Sequence, residues 1–133
     1  MTRINLVDPK ELADQHLVAE YREIFMVGSS LQRSLKSPNW SMGKIPEEFT
    51  LNAGHVLFFY NKGKYLYERY DILIEEMKRR GMKPDPARTF KVEQWPDELF
   101  GDYTPTPQAI NIIRKRLKEK IAMKPNWYRW STL

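Results

Sequence analysis

The residues best suited to chemistry stand at the start of the chain. It opens Met-Thr-Arg, and Thr2 is small enough for an aminopeptidase to remove Met1 and leave a free α-amine on a threonine. Such an amine has an ordinary pKa of about 7.7–8.0, against about 10.4 for lysine, so at neutral pH it is roughly a few hundred times more often unprotonated. It is a nucleophile at almost no desolvation cost. Gln15-His16 and Tyr21-Arg22-Glu23 follow. A Glu23 carboxylate near the amine could move the protons that an imine needs moved, with Arg3 and Arg22 supplying positive charge. The set points to amine-based covalent catalysis.

Taken one at a time, these residues have plain readings. Glu23 alone is a surface glutamate, His16 a packed or solvated side chain, and Arg3 and Arg22 weak surface partners for Glu20 or Glu23. Their weight comes from convergence, because one end of one helix can gather amine, carboxylate, imidazole and guanidinium in a single place.

That helix is expected to begin at Asp8-Pro9-Lys10-Glu11, where Asp8 caps, Pro9 suits the first helical position and Glu11 stands three residues after the cap. Leu17, Tyr21, Ile24, Gly28, Leu31 and Leu35 then recur at three- and four-residue spacing as one buried stripe, to about Lys36, before Ser37-Pro38-Asn39. At about 100° per residue, Gln15, His16, Ala19, Arg22 and Glu23 fall roughly opposite the stripe. The run AGHVLFFY (53–60) reads as buried packing, either a short helix or an extended piece. A second helix is expected over about 64–80, with Leu66, Tyr70, Leu73, Ile74 and Met77 inward and Gly81 as its stop. A long proline-bearing connection, ending near Gly101-Asp102-Tyr103, should be functional or tied down. Thr106-Pro107 opens a third helix to about Met123, with Ile110, Ile113, Leu117 and Ile121 inward. Three main helices and no convincing hairpin predict an all-α single domain over 1–133.

The net charge is +5. Within 107–124, six basic residues (Arg114, Lys115, Arg116, Lys118, Lys120 and Lys124) oppose the single acid Glu119, so this segment carries the whole excess. Arg116, Lys120 and Lys124 share one face and lead into Trp127-Tyr128-Arg129-Trp130. A basic face meets phosphates, and aromatics beside it can stack on or wedge beside bases. The competing reading is a solvated helix face whose tail packs its tryptophans on the core.

Composition excludes other chemistry. No cysteine is present, which removes disulfides, zinc–thiolate sites and cysteine nucleophiles. Two histidines, His16 and His55, do not make a dedicated transition-metal site, and no metal or other cofactor is expected. Asp8 and Glu11 interrupt the start, so no signal peptide or anchor is expected there, and the apolar run 53–60 is far too short to span a bilayer. A soluble, cytoplasmic, monomeric domain without a membrane partner is the expectation.

The opening MTRINL, then ELADQHLVAEYRE (11–23), AGHVLFFY (53–60), GDY (101–103) and EKIAMKPNWY (119–128) resemble the phage pyrimidine-dimer DNA glycosylase/AP lyase family of the endonuclease V type. The resemblance is collinear over nearly the whole chain and weakest over 25–50 and 82–99. It implies a compact all-α fold that repairs cyclobutane pyrimidine dimers in double-stranded DNA. It further implies that the Thr2 amine attacks C1′ of the 5′ nucleotide of the dimer to form an imine. Glu23 then serves glycosylase chemistry and loss of the 2′ proton, so that β-elimination cuts the strand. Arg3, Gln15, His16 and Arg22 match positions around the kinked lesion, and Arg116, Lys120 and Trp127-Tyr128 match DNA contacts; Lys124 extends that face. The family also extrudes the adenine opposite the lesion into a protein pocket. Two departures stand out: Phe25-Met26 replaces a typical Pro-Arg pair, removing one phosphate-contacting arginine, and a shorter tail carries Trp130 and Ser131 where the family has tyrosines. The alternative from another class is a catalytically silent DNA-binding module that keeps the basic helix and aromatic tail.

Overall fold

The computed structural model describes residues 2–131. The expected removal of Met1 therefore falls outside the described residues, as do the last two positions of the tail. The elements are five α-helices, α1 (Asp14–Glu23), α2 (Phe25–Leu35), α3 (His55–Phe58), α4 (Gly63–Arg79) and α5 (Pro107–Met123), joined by short 3₁₀ turns, with no strand among the described residues. The all-α expectation holds.

The apolar stripe does what its spacing requires: Leu17, Tyr21, Ile24, Gly28 and Leu31 are buried, and α1 packs mainly on α4 through Leu66, Tyr70 and Leu73. The start and middle of the first helix differ from expectation. Pro9–Glu11 forms only a 3₁₀ turn, and Leu12 and Ala13 then run extended before α1 begins at Asp14. Both side chains of this extended pair are buried. Asp8 does cap the turn, accepting from Lys10 N–H. Glu11 completes no capping box and instead receives Arg114 from α5 (2.9 Å). Farther on, Ile24 separates α1 from α2; Val27 N–H reaches the carbonyl of Ile24 (3.4 Å) instead of Glu23. The single long helix is thus two segments, with Glu23 at the end of the first.

The later helices match their signals closely. Thr106 Oγ1 accepts from Ala109 N–H (3.0 Å) with Pro107 in the first turn, an N-cap legible in the sequence. The run 53–60 resolves into α3 and a 3₁₀ turn over Phe59–Asn61. The long connection is tied down. Asp85 N–H donates to the Tyr21 hydroxyl (3.0 Å), Gln32 Nε2 to Gln94 O (2.5 Å), and Trp95 and Leu99 are buried. The Gly101 carbonyl accepts from Lys64 and Tyr65 N–H (3.1 and 3.3 Å), closing the open start of α4. Only glycine fits at 101, since a Cβ there would stand 2.6 Å from Asn61 O.

Candidate active site and nucleic-acid interface

The N-terminal segment is held by bonds from three elements. Ile4 N–H donates to His55 Nε2 (3.0 Å), Asn5 N–H to Glu20 Oε1 (3.2 Å), and Arg69 Nη1 to the Val7 carbonyl (2.5 Å). Between them Leu6 takes a positive φ of 57°, a conformation that a leucine keeps only where its neighbours are fixed. Thr2 is thereby delivered to the α1–α2 junction, 9% exposed, with its hydroxyl donating to Met26 Sδ (3.3 Å).

Glu20 and Arg69 anchor this arrangement. Arg69 Nε and Nη2 reach the two carboxylate oxygens of Glu20 at 2.6 and 2.9 Å, with Glu20 1% and Arg69 3% exposed. The two residues were not expected to pair, yet a signal existed. Position 20 lies three after Leu17 on the buried stripe, and position 69 lies three after Leu66 on the facing one. A charge on each of two apolar stripes needs the other.

His55 is the second unexpected anchor. A backbone N–H can only donate, so Nε2 is the acceptor for Ile4, and Nδ1–H donates to the Thr50 carbonyl (2.8 Å). Burial above all, aided by Arg3 and Arg116 and opposed by Thr50 and Glu20, lowers its pKa from 6.5 to about 4. The folded chain keeps the ring neutral in that window while the unfolded chain protonates it, so stability falls as pH drops from 6.5 towards 4. The whole window is worth about 3 kcal/mol. Urea midpoints at about pH 7, 5.5 and 4 are expected to fall accordingly, and His55→Gln to lose that part of the fall.

Beside the segment opens a cleft of about 170 Å³ that brings together Arg3, His16, Glu23, Arg116, Lys120 and Tyr128. Most of the side chains singled out by type and spacing share this one place. Its carboxylates differ sharply. Glu20 also borders the cleft, but both its oxygens are taken by Arg69 and Asn5, whereas Glu23 has no ion pair among the described residues. Burial, then Arg116, lower the Arg3 pKa, and Glu23 opposes them. Burial, Arg116 and Lys120 hold His16 below its ordinary 6.5, so at neutral pH the imidazole is uncharged. Arg3 Nε and His16 Nδ1 are buried without a hydrogen-bond partner, two polar atoms at the cleft that a bound phosphate or sugar would satisfy. His16 stacks on Tyr128 (centroids 4.6 Å apart), which ties the tail to the cleft.

The remaining candidates stand around this centre. Arg22 faces a neighbouring cavity of about 460 Å³, bordered also by Phe25, Ser29, Arg88 and Gln94. Gln15 is engaged at both ends: its Nε2 donates to Trp127 O (2.7 Å) and its Oε1 accepts from Arg129 N–H (3.1 Å). It fixes the tail, a function hidden in the sequence because its partners lie more than a hundred residues away. Trp127 is 51% exposed with Lys124 Nζ 5.1 Å from its ring centre, and Trp130 donates Nε1–H to Glu11 O (3.1 Å) while remaining largely exposed. The tryptophans are thus not core packing. A larger concavity of about 700 Å³ contains none of the candidate residues, and Asp8, Glu68, Glu75 and Asp102 around it suit no polyanion.

The sequence matches the family model of the pyrimidine dimer DNA glycosylases over residues 1–90. The chain belongs to the pyrimidine dimer DNA glycosylase family. The matched span holds Thr2, Arg3, Gln15, His16, Arg22 and Glu23, together with the anchors Glu20, His55 and Arg69. It stops short of α5 and the tail. The basic residues of α5 and the aromatic tail stand outside the matched residues; of them, Arg116, Lys120 and Tyr128 border the cleft. Membership places the chain in repair of pyrimidine dimers in DNA. No helix among the described residues is long and apolar enough to cross a membrane.

Proposed function

We propose that the chain is a bifunctional enzyme, a pyrimidine-dimer glycosylase and abasic-site lyase that works on double-stranded DNA through the α-amine of Thr2. The amine, freed by removal of Met1, attacks C1′ of the 5′ nucleotide of the dimer. The glycosidic bond breaks, its electron pair leaves with the base, the nitrogen gives up one of its protons, and the ring oxygen takes a proton as the C1′–O4′ bond opens to leave a protonated imine. Glu23 stabilises the positive charge that develops on the sugar and takes the 2′ proton. The electrons of that C–H bond then expel the 3′ phosphate. Arg3, Arg116 and Lys120 neutralise the strand's phosphates, Lys124 extends that contact, and His16, Tyr128 and Trp127 flank the distorted duplex. The Arg22 cavity, with Phe25 as its aromatic wall, is the receiver for the base extruded opposite the lesion.

The observation that supports this reading best is the shared cleft, in which the free carboxylate of Glu23 stands among cations beside the segment that ends at Thr2. Borohydride trapping on a duplex with one thymine dimer tests it, after mass spectrometry has established that Met1 is absent. A covalent adduct mapped to Thr2 is expected. An adduct on an abasic duplex only would reduce the enzyme to a lyase, and none on either, with binding intact, would leave a silent DNA-binding module.

A further inference from the structure

We propose that Met26 is a positioning residue for the nucleophile: its thioether takes the hydroxyl proton of Thr2 and so leaves the lone pair of the α-amine free to attack. The inference rests on the N-terminal amine mechanism above. A threonine with a free amine is a vicinal amino alcohol, and its hydroxyl can close a five-membered O–H···N contact with its own nitrogen. That contact occupies the lone pair that must form the bond to C1′. A hydroxyl has a single hydrogen to donate, and a thioether sulfur can only accept. In this structure the Thr2 hydroxyl donates outward, to Met26 Sδ at 3.3 Å. With the hydrogen committed there, the hydroxyl presents only lone pairs to the amine.

The placement is built into the fold. Thr2 is brought to this point by the bonds at Ile4, Asn5 and Val7, and Met26 stands in the first turn of α2, just across the junction from Glu23. Met26 is 56% exposed, so its side chain is not held there by a core position. The contact that bears on the chemistry is the one its sulfur makes with the Thr2 hydroxyl.

The test is a four-protein cycle. The parent, Met26→Leu, Thr2→Ala and the double variant are trapped with borohydride on a duplex carrying one abasic site, in single turnover. The pH is about 9, above the ordinary range of an α-amine, so that the nitrogen is neutral in all four. Leucine keeps the apolar bulk and removes the acceptor. Met26→Leu is expected to slow trapping about fivefold, the weight of one ordinary hydrogen bond, without changing the DNA concentration at half-saturation. In the Thr2→Ala background, where no hydroxyl competes, the same change is expected to have no effect. Met26→Gln, which restores an acceptor at similar reach, should regain most of the rate. Equal rates for the parent and Met26→Leu would overturn the inference. So would equal slowing in both backgrounds, which would mean packing, or a glutamine no better than leucine. Absence of any adduct at residue 2 in the parent would instead overturn the amine mechanism, and this inference with it.

Discussion

Glu23→Gln is expected to abolish strand cleavage while leaving the enzyme able to bind dimer-containing duplex. The cleft has two carboxylates at its border, and they do not compete for the chemistry. Glu20 is held by Arg69 on both oxygens and accepts from Asn5 as well, so moving a proton onto it would break a buried ion pair. Glu23 faces Arg3, Arg116 and Lys120 with no partner among the described residues, free to meet a positive sugar and to take a proton from it. An amide of the same shape does neither. Removing a general base costs typically 10²–10⁴ in rate and removing a charge aimed at the developing cation about 10²–10³ more, so a loss of at least about a thousandfold is expected. Binding should hold or tighten slightly, because the change deletes a negative charge facing phosphates. Single-turnover nicking and equilibrium binding on the same duplex check both halves. Nicking within about tenfold of the parent would remove Glu23 from the mechanism.

That distinction between Glu20 and Glu23 also shows what the sequence could and could not convey. The buried stripe of α1 and α2, the capped start of α5 and nearly the whole extent of α4 were legible, because periodicity and caps are local. Residue type and resemblance together also singled out Arg3, His16, Glu23, Arg116 and Lys120, which border one cleft. The division of labour was not. Two glutamates three residues apart on one helix differ because Arg69, on another helix, claims one of them. Gln15 reads as a polar residue on a working face until the tail folds back onto both ends of its amide. His55 reads as an interruption in an apolar run until the backbone of Ile4 is seen to need an acceptor. Met26 reads only as a missing arginine. Each of these depends on a partner far along the chain, and no window of neighbouring residues contains it.

Glu20→Ala is expected to be the most damaging single change to stability, and to damage the site by the same stroke. It leaves the Arg69 guanidinium buried without its counter-charge, and breaking a buried pair from one side costs about 3–5 kcal/mol. A domain of this kind has about 5–15 kcal/mol in total, so the urea midpoint should fall by a large fraction. Asn5 loses its acceptor as well, and with it the bond that holds Leu6 in its positive-φ turn. The two consequences separate in a double replacement. Glu20→Leu with Arg69→Met exchanges the pair for apolar side chains of similar bulk, which in other buried pairs is neutral or stabilising. The double variant is therefore expected to recover most of the midpoint lost by Glu20→Ala. It should not recover trapping at Thr2, because neither leucine nor methionine offers Asn5 N–H an acceptor or Val7 O a donor. If stability and trapping returned together, the ion pair would be mere core filling. If stability alone returned, Glu20 and Arg69 would be placed where their bonds put them: in the fold's means of presenting its own N-terminus as a reagent.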